Sequence, residues 1–600
     1  MNQEMLNTVS DLANPVESRH PQDWEVARPP WHRQTTVLGS VFVLLALCAA
    51  YLLRPPSVPP YVARHVPVTA TGRSKTGPLL LQEREIYFLE LFGGHQALAR
   101  APVSGGDVSL PSVSLDNLQL ADISPNGDEL LVGTRLGTQA EWPLWKISLN
   151  GGMAPSRLGS VLGHAGTWSP DGRRIVYGAG NDLYIANSDG SQPRLLSATS
   201  GVARWIRWSP DSKVIRFTVL HPQNLSTSLW EISSDGRNLR PLLTGWNDPS
   251  SECCGTWSPD GEFFVFQATR EGTSQIWAIR EKPQMWRRID RTPVQLTRGP
   301  TSYRAPVISR DGKRIFVVGD QRRSELVRFD SGSQRFEPFM GGISAESADF
   351  SRDDQWIAYV TYPDGVLWRS KVDSSERRRL SPASMQVHLP RWSPDGTRIA
   401  FRAEVPGKPV KIYTISSSGQ DLTQLISDDR GEADPGWSPD GRKLVFGRMT
   451  LPFDSRSKSI HVYDFETKQV TTLPGSDGLY SPRWSPDGRF IVALSLDSQR
   501  LMLFDVEREA WQELARVNAS YPVWAADSST LYFGGKVNNK QGHYRIKLRD
   551  RKLERLLSLP EALDELVSFA IWTGIAPDGS LVVARDLSRQ EIYALEWQIP

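Results

Sequence analysis

Apolar and polar residues follow two regimes along this chain. Thr35 to Leu53 is nineteen residues without a charge. At ~1.5 Å per residue a helix of that length spans about 28 Å, close to the hydrocarbon thickness of a bilayer. From Leu79 onward the apolar residues come in short runs with the two-residue period of a strand. In Arg398-Ile399-Ala400-Phe401, Ile399 and Phe401 point to one face and Arg398 and Ala400 to the other. Asp182–Ala186 and Pro193–Leu196 read as two more strands, joined by the turn residues Asn187-Ser188-Asp189-Gly190. Ile86–Leu91 and Ala97–Ala101 read the same way, and Ile592–Trp597 supplies a last strand.

The punctuation between strands recurs. Trp392-Ser393-Pro394-Asp395-Gly396 ends one strand and turns into the next. Proline presets φ for a type I turn, Asp suits the following position, and glycine enters the left-handed region without a Cβ penalty. The full string returns at Trp168, Trp257, Trp437 and Trp484. Altered copies stand at Ser124-Pro125-Asn126-Gly127, Trp208–Ser212, Ser309–Gly312, Ser351–Asp354, Trp524–Asp527 and Ala576–Gly579. The turn positions are Asn126, Asp171, Asp211, Asp260, Asp311, Asp353, Asp395, Asp440, Asp487, Asp527 and Asp578, with spacings of 40 to 51 residues. A period of about 45 with strand-like text is the length of one four-stranded propeller blade. The repeat resembles the TolB-like (WD40-like) propeller repeat of the periplasmic Tol–Pal system, over roughly residues 78 to 597, and lacks the Gly-His…Trp-Asp signature of ordinary WD repeats. It predicts an all-β fold of tandem β-propellers, with about twelve four-stranded blades after one N-terminal transmembrane helix. Closed propellers hold four to eight blades, so twelve predict two rings. An even split into six and six puts the seam near Met340-Gly341-Gly342, with seven and five the alternative. The expected first propeller is then 78–342 and the second 343–600.

The segments before residue 78 divide by composition. Residues 1–34 predict a cytoplasmic, disordered tail, the rival reading being a docking peptide with Met5, Leu6, Val9 and Leu12 on one helical face. A cleaved signal peptide begins nearer the N-terminus, and a lipoprotein signal would need a small residue where Leu47 precedes Cys48. The stretch 35–53 therefore reads as a retained membrane anchor, followed by a Pro-rich stalk, 54–77, with Pro55, Pro56, Pro59 and Pro60. Flanking arginines tie at Arg19, Arg28 and Arg33 against Arg54, Arg64 and Arg73, so charge does not orient the span. The resemblance implies a single-pass protein of the inner (cytoplasmic) membrane with the propellers on the periplasmic side.

Composition adds little field: 69 Lys+Arg against 67 Asp+Glu leave a net charge of +2, so no global charge directs the chain to nucleic acid. Three cysteines make no disulfide framework. Six of the 21 Trp stand in repeat turns and read as blade core. No G-x-S-x-G, P-loop or H-E-x-x-H occurs, and the nine His have no ligand spacing. His164, His221 and His388 are candidates to line a funnel, but no cluster of His, Asp or Glu at equivalent blade positions is visible. No catalytic residue, cofactor or metal is therefore assigned. The turn Asp residues read as caps of backbone N–H groups. Cys253-Cys254 reads as a vicinal disulfide or a soft-metal ligand pair. The insertion 280–291 offers Arg280, Lys282, Trp286, Arg287, Arg288 and Arg291 as a partner-binding loop, and its rival reading is an excursion covering the blade edge.

One span followed by a long TolB-like array also resembles bacterial membrane proteins that carry a cytoplasmic winged helix, which a 34-residue tail cannot hold. The expected function is a non-catalytic, membrane-anchored sensor or scaffold that binds a protein or peptide partner in the cell envelope. The alternatives are a small-ligand sensor coupled to a cytoplasmic regulator, and a propeller hydrolase or lyase with a funnel active site.

Overall fold

The computed structural model describes residues 59–599 except 93–94, 116, 135–139, 151–153, 271, 284–289, 331, 334, 449–457, 539 and 559–571. The expected tail and membrane span lie outside the described residues. Among the described residues there is no helix, so none long and apolar enough to cross a membrane.

The strands form twelve antiparallel sheets, eleven of four strands and one of three, as propeller blades do. Most sheets are simple meanders in sequence order, for example Gln386–Trp392, Arg398–Glu404, Lys411–Ser416 and Thr423–Gln424. The repeated turn joins the first two strands of such a sheet. Ser393 Oγ donates to Asp395 Oδ1 (2.6 Å) and accepts the Arg398 N–H (2.9 Å), while Asp395 Oδ1 also accepts the Thr397 N–H (3.1 Å). Gly396 closes the turn onto the Ser393 carbonyl at φ +68°. The same Ser–Asp bond holds Asp171, Asp211, Asp260, Asp311, Asp353, Asp440 and Asp487. Asp527 and Asp578 cap the Ser529 and Ser580 N–H groups where alanine replaces the serine. The hydrogen bond from Ser438, then the Arg442 N–H, hold the Asp440 carboxyl below the usual range.

First strands neighbour one another in two cycles of six. One cycle runs Lys75–Leu81, Leu118–Ile123, Ala165–Trp168, Val202–Trp208, Glu252–Trp257, Ser302–Ile308 and back. The other runs Ala345–Phe350, Gln386–Trp392, Glu432–Trp437, Leu479–Trp484, Asn518–Trp524, Thr573–Ile575 and back. Between adjacent sheets lies the core. Trp392, Ile399 and Phe401 pack with Ala358, Val360 and Leu367 of the preceding sheet. Each fully buried Val, Leu, Ile or Phe side chain among them contributes about 1.5–3 kcal/mol.

Each cycle ends in a sheet assembled from distant parts of the chain. In the first, Ser302–Ile308 and Arg314–Gln321 are joined by Arg589–Gln598, and Tyr61–Pro67 pairs outside that. In the second, Thr573–Ile575 and Leu581–Asp586 pair with Ser324–Asp330 and Arg335–Pro338. The second cycle is thus inserted between two strands of the first. The chain crosses at Arg322-Arg323 and returns at Leu587-Ser588, where the Leu587 N–H donates to the Arg323 carbonyl (2.8 Å).

These pairings correct three expectations. The boundary between the two cycles does not fall at 342/343, because residues 324–338 already pair with 573–586 in the second cycle. Ile592–Trp597 completes a sheet of the first cycle, not of the second. The segment read as a stalk contributes Tyr61–Pro67 and the start of Lys75–Leu81 to sheets. Alternation identifies a strand but not its partner, and prolines at the start of an edge strand lose no ladder bond.

Candidate functional site

The first strand of nearly every sheet carries a bulge that the turn motif does not reveal. Register shifts recur between His388 and Arg391, Ala433 and Gly436, Tyr480 and Arg483, and Ser520 and Val523. At each, a non-glycine residue takes positive φ: Leu389 (51°), Asp434 (55°), Ser481 (54°) and Tyr521 (48°). A proline follows every one of these, at Pro390, Pro435, Pro482 and Pro522. It lacks the N–H that the interrupted ladder would leave unpaired, and the bulge re-aims the flanking side chains.

Counting back from the turn serine therefore sorts side chains into levels. Five residues before it stand Glu346 and His388, four before it Asp434 and (counted from Ala525, which replaces the serine) Tyr521, and two before it Asp349, Arg391 and Arg483. The second cycle brings them together. His388 Nδ1 lies 2.6 Å from Glu346 Oε1, and Nε2 lies 3.6 Å from Glu404 Oε1, which also pairs with Arg402 Nη2 at 2.5 Å. At the level nearer the turns, Asp349 Oδ2 accepts the Trp392 N–H (2.7 Å) and Oδ1 stands 3.6 Å from Arg391 Nη1. Arg483 Nη2 stands 3.5 Å from Asp434 Oδ1.

Burial sets the protonation of this group. Desolvation first, then the Asp434 and Glu346 carboxylates, push the Tyr521 phenol up to about 12. Desolvation, then the Arg391 charge, pull Arg483 down to about 10. Burial raises the Asp349 carboxyl above its ordinary value, with Arg391, the Trp392 N–H and Arg483 opposing. Such a site can bind polar groups by hydrogen bonds from fixed guanidinium and imidazole groups.

The first cycle has a sparser counterpart. Asp122 accepts from Thr167 Oγ1 (2.7 Å) and the Trp168 N–H (3.0 Å), and the Arg207 charge opposes the rise that burial imposes on its carboxyl. Cys253 and Cys254 are joined as a disulfide, with the Cys254 N–H on Thr218 Oγ1 (3.0 Å). Burial pushes the adjacent Glu252 carboxyl up to about 7.

The three funnel histidines separate. His388 belongs to the charged cluster. His164 is held between Glu141 (3.0 Å) and the Ala203 carbonyl (2.8 Å), and His221 lies on the 221–226 hairpin. The basic insertion contributes nothing to either cycle's interior among the described residues. Arg280 pairs with Glu262 and covers the Phe263 ring, Lys282 donates to the Asp260 carbonyl, and Arg291 pairs with Glu281 at 3.1 Å. Trp286, Arg287 and Arg288 lie outside the described residues. Among the described residues no His, Cys, Asp and Glu group could hold a metal ion.

The model of the TolB beta propeller domain matches residues 343–450, which hold Glu346, Asp349, His388, Arg391, Arg402, Glu404 and Asp434. Over that stretch the chain is TolB-like. An uncharacterized protein of Agrobacterium fabrum is 27% identical over 261 residues, 40% of this chain and 83% of that one. The Tol-Pal system protein TolB of Syntrophus aciditrophicus is 36% identical over 62 residues, 10% of this chain and 14% of its own. The solved structure of a putative TolB from Agrobacterium tumefaciens aligns with 44% of this TolB-like chain and 99% of its own, at 18% identity and a TM-score of 0.36.

Proposed function

We propose that this TolB-like chain is a non-catalytic recognition module of the cell envelope, anchored through residues 35–53, that binds a protein or peptide partner at the charged interior of its second cycle. In this reading the two cycles are two six-bladed propellers, the second inserted into the last blade of the first. The observation that carries it is the convergence of Glu346, His388, Arg402 and Glu404 from neighbouring sheets, all partly open to solvent. The similarity to a Tol-Pal system protein supports a place in the envelope. The uncharged stretch supports the anchor.

The test uses the full chain in detergent, immobilised and exposed to envelope extract, beside His388→Ala and Glu404→Gln variants. A partner retained by the wild type and lost from both variants supports the reading. Identical retention by all three overturns it. Carbonate washing of membranes tests the anchor, and release of the intact chain removes it.

A second reading is a hydrolase or lyase that uses His388 as a general base, because an imidazole flanked by two carboxylates is oriented for proton transfer. It predicts turnover abolished by His388→Ala with the melting temperature unchanged.

A further inference from the structure

The floor of the second-cycle cluster holds two guanidinium groups whose hydrogen-bonding capacity is only partly used. Arg391 Nη1 donates to the Pro390 carbonyl (3.1 Å), and Arg483 Nη1 donates to the Pro482 carbonyl (2.7 Å). Each arginine is thereby folded back onto the proline of its own bulge, which fixes the plane of the guanidinium. The carbonyls of the same residues are gripped from the next sheet, Arg391 O by Trp437 Nε1 (3.0 Å) and Arg483 O by Trp524 Nε1 (3.1 Å). These side chains are therefore set in place before any ligand arrives.

Arg483 is the more enclosed of the two, 6% exposed. Its Nε and Nη2 have no hydrogen-bond partner among the described residues. Asp434, at 3.5 Å from Nη2, is beyond a good charge-assisted bond. Asp349 stands off Arg391 by 3.6 Å, and its other oxygen is held by the Trp392 N–H. Arg391 adds a like charge close enough to lower the basicity of Arg483, and the two carboxylates beside them do not saturate their donors. A buried donor left unmet costs on the order of 1–3 kcal/mol, so the arrangement favours an acceptor supplied from outside.

We propose that Arg391 and Arg483 form a preset receptor for a carboxylate, with Arg483 Nε and Nη2 as the paired donors. A planar carboxylate matches the guanidinium fork in two parallel bonds. Glu346, His388, Arg402 and Glu404 form the polar level farther from the turns, and Tyr521, a neutral phenol, lies near Arg483 and Asp434. The carboxylate comes either from a small free acid or from the C-terminus of a peptide segment. The inference rests on the reading of the second-cycle interior as the binding surface.

The experiment is calorimetric titration of the detergent-solubilised full chain, at constant ionic strength, with acetate, with trialanine and with trialanine amide. Binding of trialanine at least about tenfold tighter than its amide is expected, and a loss of about tenfold or more in Arg483→Gln. Acetate binding as tightly as trialanine assigns a free acid; acetate much weaker assigns a peptide terminus. Arg391→Lys keeps the charge and loses the fork, so it is expected to weaken carboxylate binding even where Arg483→Gln fails to fold. Equal affinity for trialanine and its amide, or no heat from any probe, overturns the proposal. If the envelope partner is still captured under that result, the carboxylate assignment alone falls. If capture also fails, the recognition reading falls with it.

Discussion

Replacing the turn glycines with side-chain residues separates two costs that the structure assigns to different positions. Gly396 and Gly190 both have positive φ, +68° and +83°. A Cβ added at Gly396 meets nothing within 4 Å, whereas one at Gly190 lies 2.7 Å from the Leu158 carbonyl oxygen of the preceding sheet. Gly396→Ala therefore imposes only the left-handed backbone penalty, ~1–2 kcal/mol. Gly396→Val falls at or above the top of that range, because β-branching adds to the strain. Gly190→Ala adds a contact with backbone, which has no side-chain freedom to relieve it, and costs about 1–3 kcal/mol beyond the conformational term. The reverse change, Ser212→Gly at φ +60°, removes a penalty of ~1–2 kcal/mol and adds about 0.4–1 kcal/mol of unfolded-state entropy. It is expected to stabilise slightly. Thermal melts read these differences at about 2–4 °C per kcal/mol for a unit the size of one cycle. Equal melting temperatures for the wild type, Gly396→Val and Gly190→Ala would refute both the turn geometry and the sheet spacing that follows from it.

Phe401, fully buried between two sheets, is expected to cost about 3–5 kcal/mol on truncation to Ala, measured by denaturant unfolding. Deleting residues 1–58 is expected to leave every described sheet intact. Deleting 1–67 removes the strand paired with Arg589–Gln598, so hydrogen exchange at 589–598 rises only in the longer deletion. Burial pulls the His543 imidazole from 6.5 down to about 4. The unfolded chain then binds the proton first, so stability is intact above pH ~6.5 and falls as pH drops toward 4. At pH 5 the loss is about 2 kcal/mol, and His543→Gln is expected to lose that part of the acid dependence in melts at pH 5 and 7.

Much of the architecture is legible because the turn is local chemistry: Ser393, Asp395 and Gly396 satisfy one another within a few residues. Strand identity is legible for the same reason, since Ile399 and Phe401 alternate with Arg398 and Ala400. The partners of Tyr61–Pro67 and Ser324–Pro338 are not legible, because pairing across more than two hundred residues leaves no local trace. The charged cluster escaped sequence reading for a different reason. Glu346 and His388 are equivalent only when counted from the turn serine and through the bulge, and Glu404 reaches them from a second strand. The signal was present in Leu389-Pro390, Asp434-Pro435, Ser481-Pro482 and Tyr521-Pro522: a proline at one fixed distance before the turn marks a bulged strand.

Site-specific photo-crosslinking in intact cells tests the central claim most directly. A photoreactive amino acid is placed at Glu346, inside the second cycle, or at Leu195, 53% exposed on the outer strand of a first-cycle sheet. The account predicts a discrete crosslinked species from position 346 that is absent from position 195. Crosslinks of equal yield from both positions, or from position 195 alone, would contradict it.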